Sequence, residues 1–259
     1  MSAVLELKGV SKHFGGLVAV SELDFAVQKG EIHGLIGPNG SGKSTTLNLV
    51  SGLYMATKGQ ILFLGKDVTH VQSSDRTALG IARTFQNIRL FHKMSVLENV
   101  MVSRYCRTKS GLLSVFLRLP RERREERQAR ADAMQALAMV GMEDFADALP
   151  GDLPYGKQRL VEIARAMATG PSMLLLDEPA AGMNPTEKRD LLNLVRRLNS
   201  DHGQTVLLVE HDMDVVMNGC QRITVLNFGA RIADGTAGEV RRSPAVVEAY
   251  LGKEEATVA

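Results

Sequence analysis

The sequence offers little that would tie it to a membrane, an oxidising compartment or a nucleic acid. Its longest apolar runs, MLLL at 173–176 and TVLLV at 205–209, fall far short of the roughly 20 residues a membrane span needs. The N-terminal stretch MSAVLELKGV lacks a charged segment followed by an apolar one, so no secretory signal is expected. Only two cysteines occur, Cys106 and Cys220. They lack metal-ligand spacing and are expected to be reduced thiols. The formal net charge of +2 gives no basic field for nucleic acid. A function at a membrane would need spans supplied by partner chains.

What is present suits one large domain, or a domain with a subdomain. The chain has 259 residues, 44% of them hydrophobic, enough for a substantial core. Apolar patterning predicts strands over 3–8, 18–27, 31–37 and 80–86, with a strand–turn–strand in GQILFLGKDV. A helix is predicted over roughly 43–52. From about 88 to 168 the signals are mostly helical. Ser95 with Glu98 forms a capping-box pattern, and Pro120 and Gly141 bracket a helix carrying the i,i+4 pairs Arg121–Glu125 and Glu126–Arg130. That charged stretch reads as a solvated face, or else as a docking surface. SMLLLD and TVLLVEH then read as parallel strands covered on both faces, with a helix over about 185–200. Two short strands, RITVLN and ARIADG, and a helix around PAVVEAYLG close the chain.

GPNGSGKST, residues Gly37, Pro38, Asn39, Gly40, Ser41, Gly42, Lys43, Ser44 and Thr45, fits G-x-x-x-x-G-K-[ST] between a strand and a helix. Its glycines let backbone N–H groups turn inward around phosphate oxygens. The helix start adds positive potential. Lys43 is placed to meet the β and γ phosphates, and Ser44 to ligate Mg²⁺. Asp177 ends an apolar strand, at the mouth of the sheet where α/β ligands sit. It is expected on the metal through water, with Glu178 polarising the water that attacks the γ phosphate. Gln86, at another strand exit, is a candidate contact to metal or water. His211 is a candidate for holding the γ phosphate or the attacking water.

A second candidate anion grip lies in LPYGKQRLVEIARAMA, residues 153–168. Leu160, Val161, Ile163, Ala164, Met167 and Ala168 make one apolar helix face. Gly156 sits near the helix start, where free N–H groups can hold an anion.

In these residues the chain resembles the ATP-binding cassette (ABC) ATPases, over essentially its whole length. Gly37–Thr45 match the Walker A loop and Gln86 the Q-loop glutamine. Pro154, Tyr155, Gly156, Lys157 and Gln158 fall in the signature motif, usually LSGGQ. MLLLDE matches Walker B with its catalytic glutamate, AAGMNP at 180–185 sits at the D-loop, His211 matches the switch histidine, and Phe14 sits where the family stacks an aromatic on adenine. The resemblance implies an α/β fold: a P-loop NTPase core of RecA-like type, an N-terminal antiparallel β subdomain and an inserted α-helical subdomain. It implies a single domain over 1–259. The core with its β subdomain takes 1–87 and 169–235, the helical subdomain with the signature motif 88–168, and a C-terminal tail 236–259.

The resemblance also implies ATP and Mg²⁺ as ligands and a head-to-tail pair with a second ATPase subunit, identical or different. The signature motif of each would then close over ATP held by the other. Membrane permease partners are implied, with solute contacts only through those chains, at the cytoplasmic face of a bacterial-type cell membrane. HFGGLVAV, IARTFQNIRLF, MSVLENVMV, DEPAAGMNP, VEHDMDVVM and VVEAYLG resemble the ATPases of branched-chain amino-acid importers. Urea or amide importers and lipopolysaccharide exporters have related ATPases. A soluble non-transport ABC protein would bring two cassettes or a long coiled-coil insertion. A GTPase would bring Asn-Lys-x-Asp, which the sequence lacks.

Two positions depart from the family pattern. Pro154 stands where a serine hydroxyl usually meets the γ phosphate, and proline also removes a backbone N–H. Either this half-site is weak and the working dimer mixed, or Pro154 simply starts the helix well. Asn184 replaces the usual aspartate of the D-loop.

Overall fold

Two sheets meet around the predicted strands. The computed structural model describes residues 3–86, 88–104 and 120–251; Cys106 lies outside them. A four-stranded antiparallel sheet comprises β1 (Ala3–Phe14), β2 (Leu17–Gln28), β4 (Lys58–Phe63) and β5 (Lys66–Asp67), in the order β2-β1-β4-β5. A six-stranded sheet has the order β10-β9-β3-β8-β7-β6. It is built from β3 (Ile32–Ile36), β6 (Ile81–Arg83), β7 (Met173–Asp177), β8 (Thr205–Val209), β9 (Arg222–Asn227) and β10 (Ala230–Gly235). All its pairings are parallel except β9 with β10. Strands β3, β8, β7 and β6 therefore end at the same edge, and the segments following them converge there.

The short apolar runs divide two cores between them. Along β7, Leu174 and Leu176 join a core with the helical region, whereas Met173 and Leu175 join a core with the antiparallel sheet. Along β8, Val206 and Leu208 face the first core and Leu207 and Val209 the second. What reads as continuous hydrophobicity is a period-two strand buried on both faces. A third cluster joins Ile36 at the end of β3 to Val216, Ile223, Val240 and Val246.

Nine helices are described: α1 (Lys43–Val50), α2 (Ser73–Leu79), α3 (Val96–Val102), α4 (Pro120–Val140), α5 (Tyr155–Met167), α6 (Pro185–His202), α7 (Met213–Gly219), α8 (Ala237–Arg242) and α9 (Pro244–Leu251). The fold is the expected α/β arrangement of P-loop core, antiparallel sheet and helical insertion. Ser95 and Glu98 form the full capping box at the start of α3. The predicted apolar face of α5 is buried at Val161, Ile163, Ala164, Met167 and Ala168.

Some boundaries differ from expectation. The first strand runs on to Phe14, because β2 pairs with it as far as Leu17. The strand expected over 80–86 pairs only over Ile81–Arg83. Helices α2, α7 and α8 have no long apolar period to announce them. Helix α2 is anchored by Arg76, which is fully buried. Its guanidinium donates to the carbonyls of Leu49, Val50, Thr69 and Val71. Those of Leu49 and Val50 belong to the C-terminal end of α1, where a cation complements the helix dipole. Burial pulls the Arg76 pKa down to about 10. Burial likewise pushes the Cys220 thiol up to about 12, consistent with a protonated structural thiol.

Candidate functional site

The turn after β3 holds the candidate phosphate loop. Gly37 has φ 153°, and a Cβ there would lie 2.1 Å from the Leu226 carbonyl oxygen. Gly42 caps α1 with φ 102°, and a Cβ there would lie 2.7 Å from the Ala19 carbonyl oxygen. Only glycine permits both the backbone angle and the approach. The buried Lys43 ammonium donates to the carbonyls of Gly37 and Pro38 at 2.7 and 3.0 Å. Residues 39–45 line a cavity of about 390 Å³ together with Leu17, Val18, Ala19, Glu178 and Phe228. The buried Ser41 hydroxyl oxygen has no hydrogen-bond partner, so the loop holds a polar atom that an anion could engage.

The acids arrive from β7. Its alternation carries Asp177 to the same face as Met173 and Leu175, which is the face that packs on α1. Glu178 follows in left-handed backbone, φ 45°, a conformation that costs a non-glycine residue about 1–3 kcal/mol. It is held by its amide on the Val209 carbonyl, 2.9 Å, and by its own carbonyl, which accepts from the Ala181 amide at 3.2 Å. Gln86 Nε2 donates to Glu178 Oε2 at 2.7 Å, leaving the Gln86 amide oxygen available as an acceptor. His211 Nδ1 lies 3.9 Å from the same Glu178 oxygen, and its side chain is 58% exposed. Gln86 and His211 therefore come together on Glu178, next to Asp177 at the end of β7. Ser44, Asp177 and Gln86 offer hydroxyl, carboxylate and amide oxygens, the donor set that suits a hard divalent cation.

Several residues that the sequence reading missed organise this edge. Arg83 Nη2 donates to Asp177 Oδ2 at 2.8 Å. Glu210, fully buried, accepts from the amides of Ala180 and His211 at 2.8 and 3.2 Å. Burial pushes its carboxyl above the usual range, while these amides and His211 pull it back. Arg159 donates to the carbonyls of Phe85 and Gln86 at 2.6 and 2.7 Å, to Glu162 at 2.9 Å and to the Tyr155 hydroxyl at 3.1 Å. It ties α5 to the segment that carries Gln86.

Of the candidate site residues outside the loop, only Glu178 lines the cavity; Gln86, Asp177, His211 and Pro154–Gln158 do not. Pro154 is the N-cap of α5, and its carbonyl accepts from the Gln158 amide at 3.1 Å. Gln158 Nε2 donates back to the Leu153 carbonyl. The Lys157 ammonium sits 3.6 Å from the centroid of the Phe145 ring. Tyr155 is 45% exposed, and its ring lies 3.4 Å from where a Gly182 Cβ would be. Phe14 is also outside the cavity lining. It meets Tyr54 edge-on at 5.3 Å, with the Lys12 ammonium 4.9 Å from its centroid.

Asn184 has a local task. It is the N-cap of α6, its side chain accepts from the amides of Thr186 and Glu187, and Glu187 bonds back to the Asn184 amide. Asn184→Ala is expected to lower stability by about 1 kcal/mol, read as a shift in the thermal midpoint. Asn184→Asp, which keeps the acceptor, is expected to leave the midpoint nearly unchanged.

Comparison with known proteins decides the family. The family model described as ABC transporter matches residues 20–181, a span holding the phosphate loop, Gln86, the 154–158 segment and both acids. The chain belongs to the ABC transporter ATPase family. Its activity is ATP hydrolysis. A second model, described as branched-chain amino acid ATP-binding cassette transporter, matches residues 230–256 of this ABC ATPase.

Among its relatives is BraF of Pseudomonas aeruginosa, a high-affinity branched-chain amino acid transport ATP-binding protein. It is 42% identical over 96% of this chain and 98% of its own. LivG of Escherichia coli, with the same description, is 41% identical over the same shares. Among solved structures, the ADP conformation of MJ1267, an ATP-binding cassette of an ABC transporter, superposes with a TM-score of 0.85. It is 33% identical and covers 97% of this chain and 100% of its own. The dimeric post-hydrolysis state of the cassette MJ0796, bound to ADP and Pi, gives 0.74 at 28% identity, covering 90% and 98%.

Proposed function

We propose that this ABC ATPase powers the import of branched-chain amino acids, held by permease chains at the cytoplasmic face of the membrane. The observation that carries the solute class is the agreement of near-full-length relatives with the separate match over 230–256. No helix among the described residues is long and apolar enough to cross a membrane.

In this reading the triphosphate lies on the 39–45 loop with Lys43 beside its outer phosphates. Ser44, the Gln86 amide oxygen and Asp177, through water, hold Mg²⁺, which neutralises phosphate charge. Glu178 polarises the attacking water and His211 steadies it against the γ phosphate. Phe14 stacks on the base. Pro154–Gln158 close over the ATP of a second ATPase subunit packed head to tail. The dimeric form of the related cassette MJ0796 supports that reading. Pro154 offers no hydroxyl, and the Lys157 charge is occupied by the Phe145 ring. A mixed dimer, with a different ATPase supplying the stronger signature, fits both facts.

The test is transport. The tagged chain is purified from its own membranes with the permease that accompanies it and reconstituted into vesicles with ATP on the cassette side. ATP-dependent import of labelled leucine, absent in Glu178→Gln, is the expected result. Import of a different solute class would overturn the substrate while leaving the ATPase intact.

A further inference from the structure

Arg83 sits three residues before Gln86, on the last residue of β6. Its guanidinium reaches two elements of the candidate site at once, α1 and β7. Nη1 donates to Asn48 Oδ1 at 2.7 Å and Ser51 Oγ at 2.9 Å, both neutral and both at the far end of α1, whose first residues are Lys43 and Ser44. Nη2 donates to Asp177 Oδ2 at 2.8 Å, and both side chains of that pair are 10% exposed. Asp177 is the one carboxylate bonded to Arg83 among the described residues. The pair is one cation against one anion, largely shielded from water, beside the loop that receives a polyanion.

Without Arg83, Asp177 would lose the cation it is bonded to, and its negative charge would act on the phosphates of the proposed site whenever no metal lies between them. A charge buried in this way acts over a long range, because little water screens it. With Arg83 in place, one carboxylate oxygen is committed to the guanidinium and the other remains for a water-bridged cation. Helix α1 is tied to the same guanidinium, so the carboxylate is fixed relative to Ser44.

We propose that Arg83 is a positioning and charge-compensating residue for Asp177: it lets the phosphate loop accept the nucleotide's phosphates independently of the divalent cation. This rests on Asp177 being the metal-side carboxylate of the proposed site. The consequence is directional. Losing Arg83 weakens metal-free nucleotide far more than the metal complex, since the cation neutralises Asp177 when it is present.

The experiment is calorimetric titration of ATP into the full-length chain, once in EDTA and once in saturating MgCl₂. For Arg83→Met, affinity in EDTA is expected to fall by about tenfold or more, while affinity in Mg²⁺ changes by less than about threefold. The Mg²⁺ enhancement therefore grows. Arg83→Met combined with Asp177→Asn is expected to recover the EDTA affinity. A purely structural role predicts equal losses under both conditions, and that result, or no loss in either, would overturn the proposal. Should Arg83→Met not fold, Asp177→Asn alone reads the same charge. It leaves Arg83 unopposed, so metal-free ATP is expected to bind about tenfold tighter, and unchanged binding would overturn the proposal. Absence of any Mg²⁺ enhancement in the wild-type chain would instead remove the metal reading of Asp177 on which this rests.

Discussion

Replacing Glu178 by glutamine is expected to lower ATP turnover by about 100- to 10,000-fold, the range lost with a general base, while ATP binding persists. The geometry makes this substitution unusually clean. Glutamine keeps the size of Glu178 and an acceptor oxygen for the Gln86 amide, now 2.7 Å away. The left-handed backbone at this position strains both residues equally. What is lost is the negative charge that, in the proposed role, draws a proton from water. Light scattering on the same variant, with and without MgATP, then reads assembly. An ATP-dependent dimer means that a Pro154 signature closes on a second copy of this chain. A monomer that binds ATP means that a different ATPase subunit completes the site. Turnover within about threefold of wild type would remove Glu178 from its proposed role.

The second large effect concerns stability. Arg159 and Glu162 are 0% and 1% exposed, and they face each other across one turn of α5 at 2.9 Å. Burial pushes the Glu162 carboxyl upward; the Arg89 amide, Arg159 and Arg165 pull it back. Arg159→Met leaves that acid facing an apolar side chain and strips the Phe85 and Gln86 carbonyls of their donor. A loss of about 3–5 kcal/mol is expected, measured as a shift in the urea midpoint. Arg159→Met with Glu162→Leu is expected to lose less, because the buried carboxylate is removed together with its nearest cation. If the double variant is the less stable of the two, the pair is not governed by desolvation. Turnover should fall with stability in the single variant, since Arg159 holds the backbone on either side of the Gln86 peptide.

These two residues also show where the sequence was legible and where it was not. The phosphate loop could be read because its chemistry needs glycines, a lysine and a hydroxyl at fixed spacing within one turn. Asp177 and Glu178 could be read because an apolar strand delivers them to the edge where ligands collect. Arg83, Arg159 and Glu210 could not, because their partners lie far along the chain: Asp177 is 94 residues from Arg83, Phe85 is 74 from Arg159 and Ala180 is 30 from Glu210. A lone arginine in a strand or helix reads as surface charge until the fold brings its acceptors. Helices α2, α7 and α8, six or seven residues long, are too brief for an apolar period to register. Asn184 could be read as a departure from a pattern, yet its cap on α6 needed the local backbone to be seen.

Strand β7 is a wall with a different core on each side, and its alternation runs straight into Asp177. Its side chains can be exchanged among aliphatics at modest cost, since each fills an ordinary hydrophobic space. Its length has no such latitude. Deleting one residue from 173–176 would turn every later side chain to the opposite face. The carboxylate would be carried away from α1 and into the helical side, with Glu178 drawn into its place at the end of the strand. Heritable variation in this segment is thus open to spelling and closed to counting.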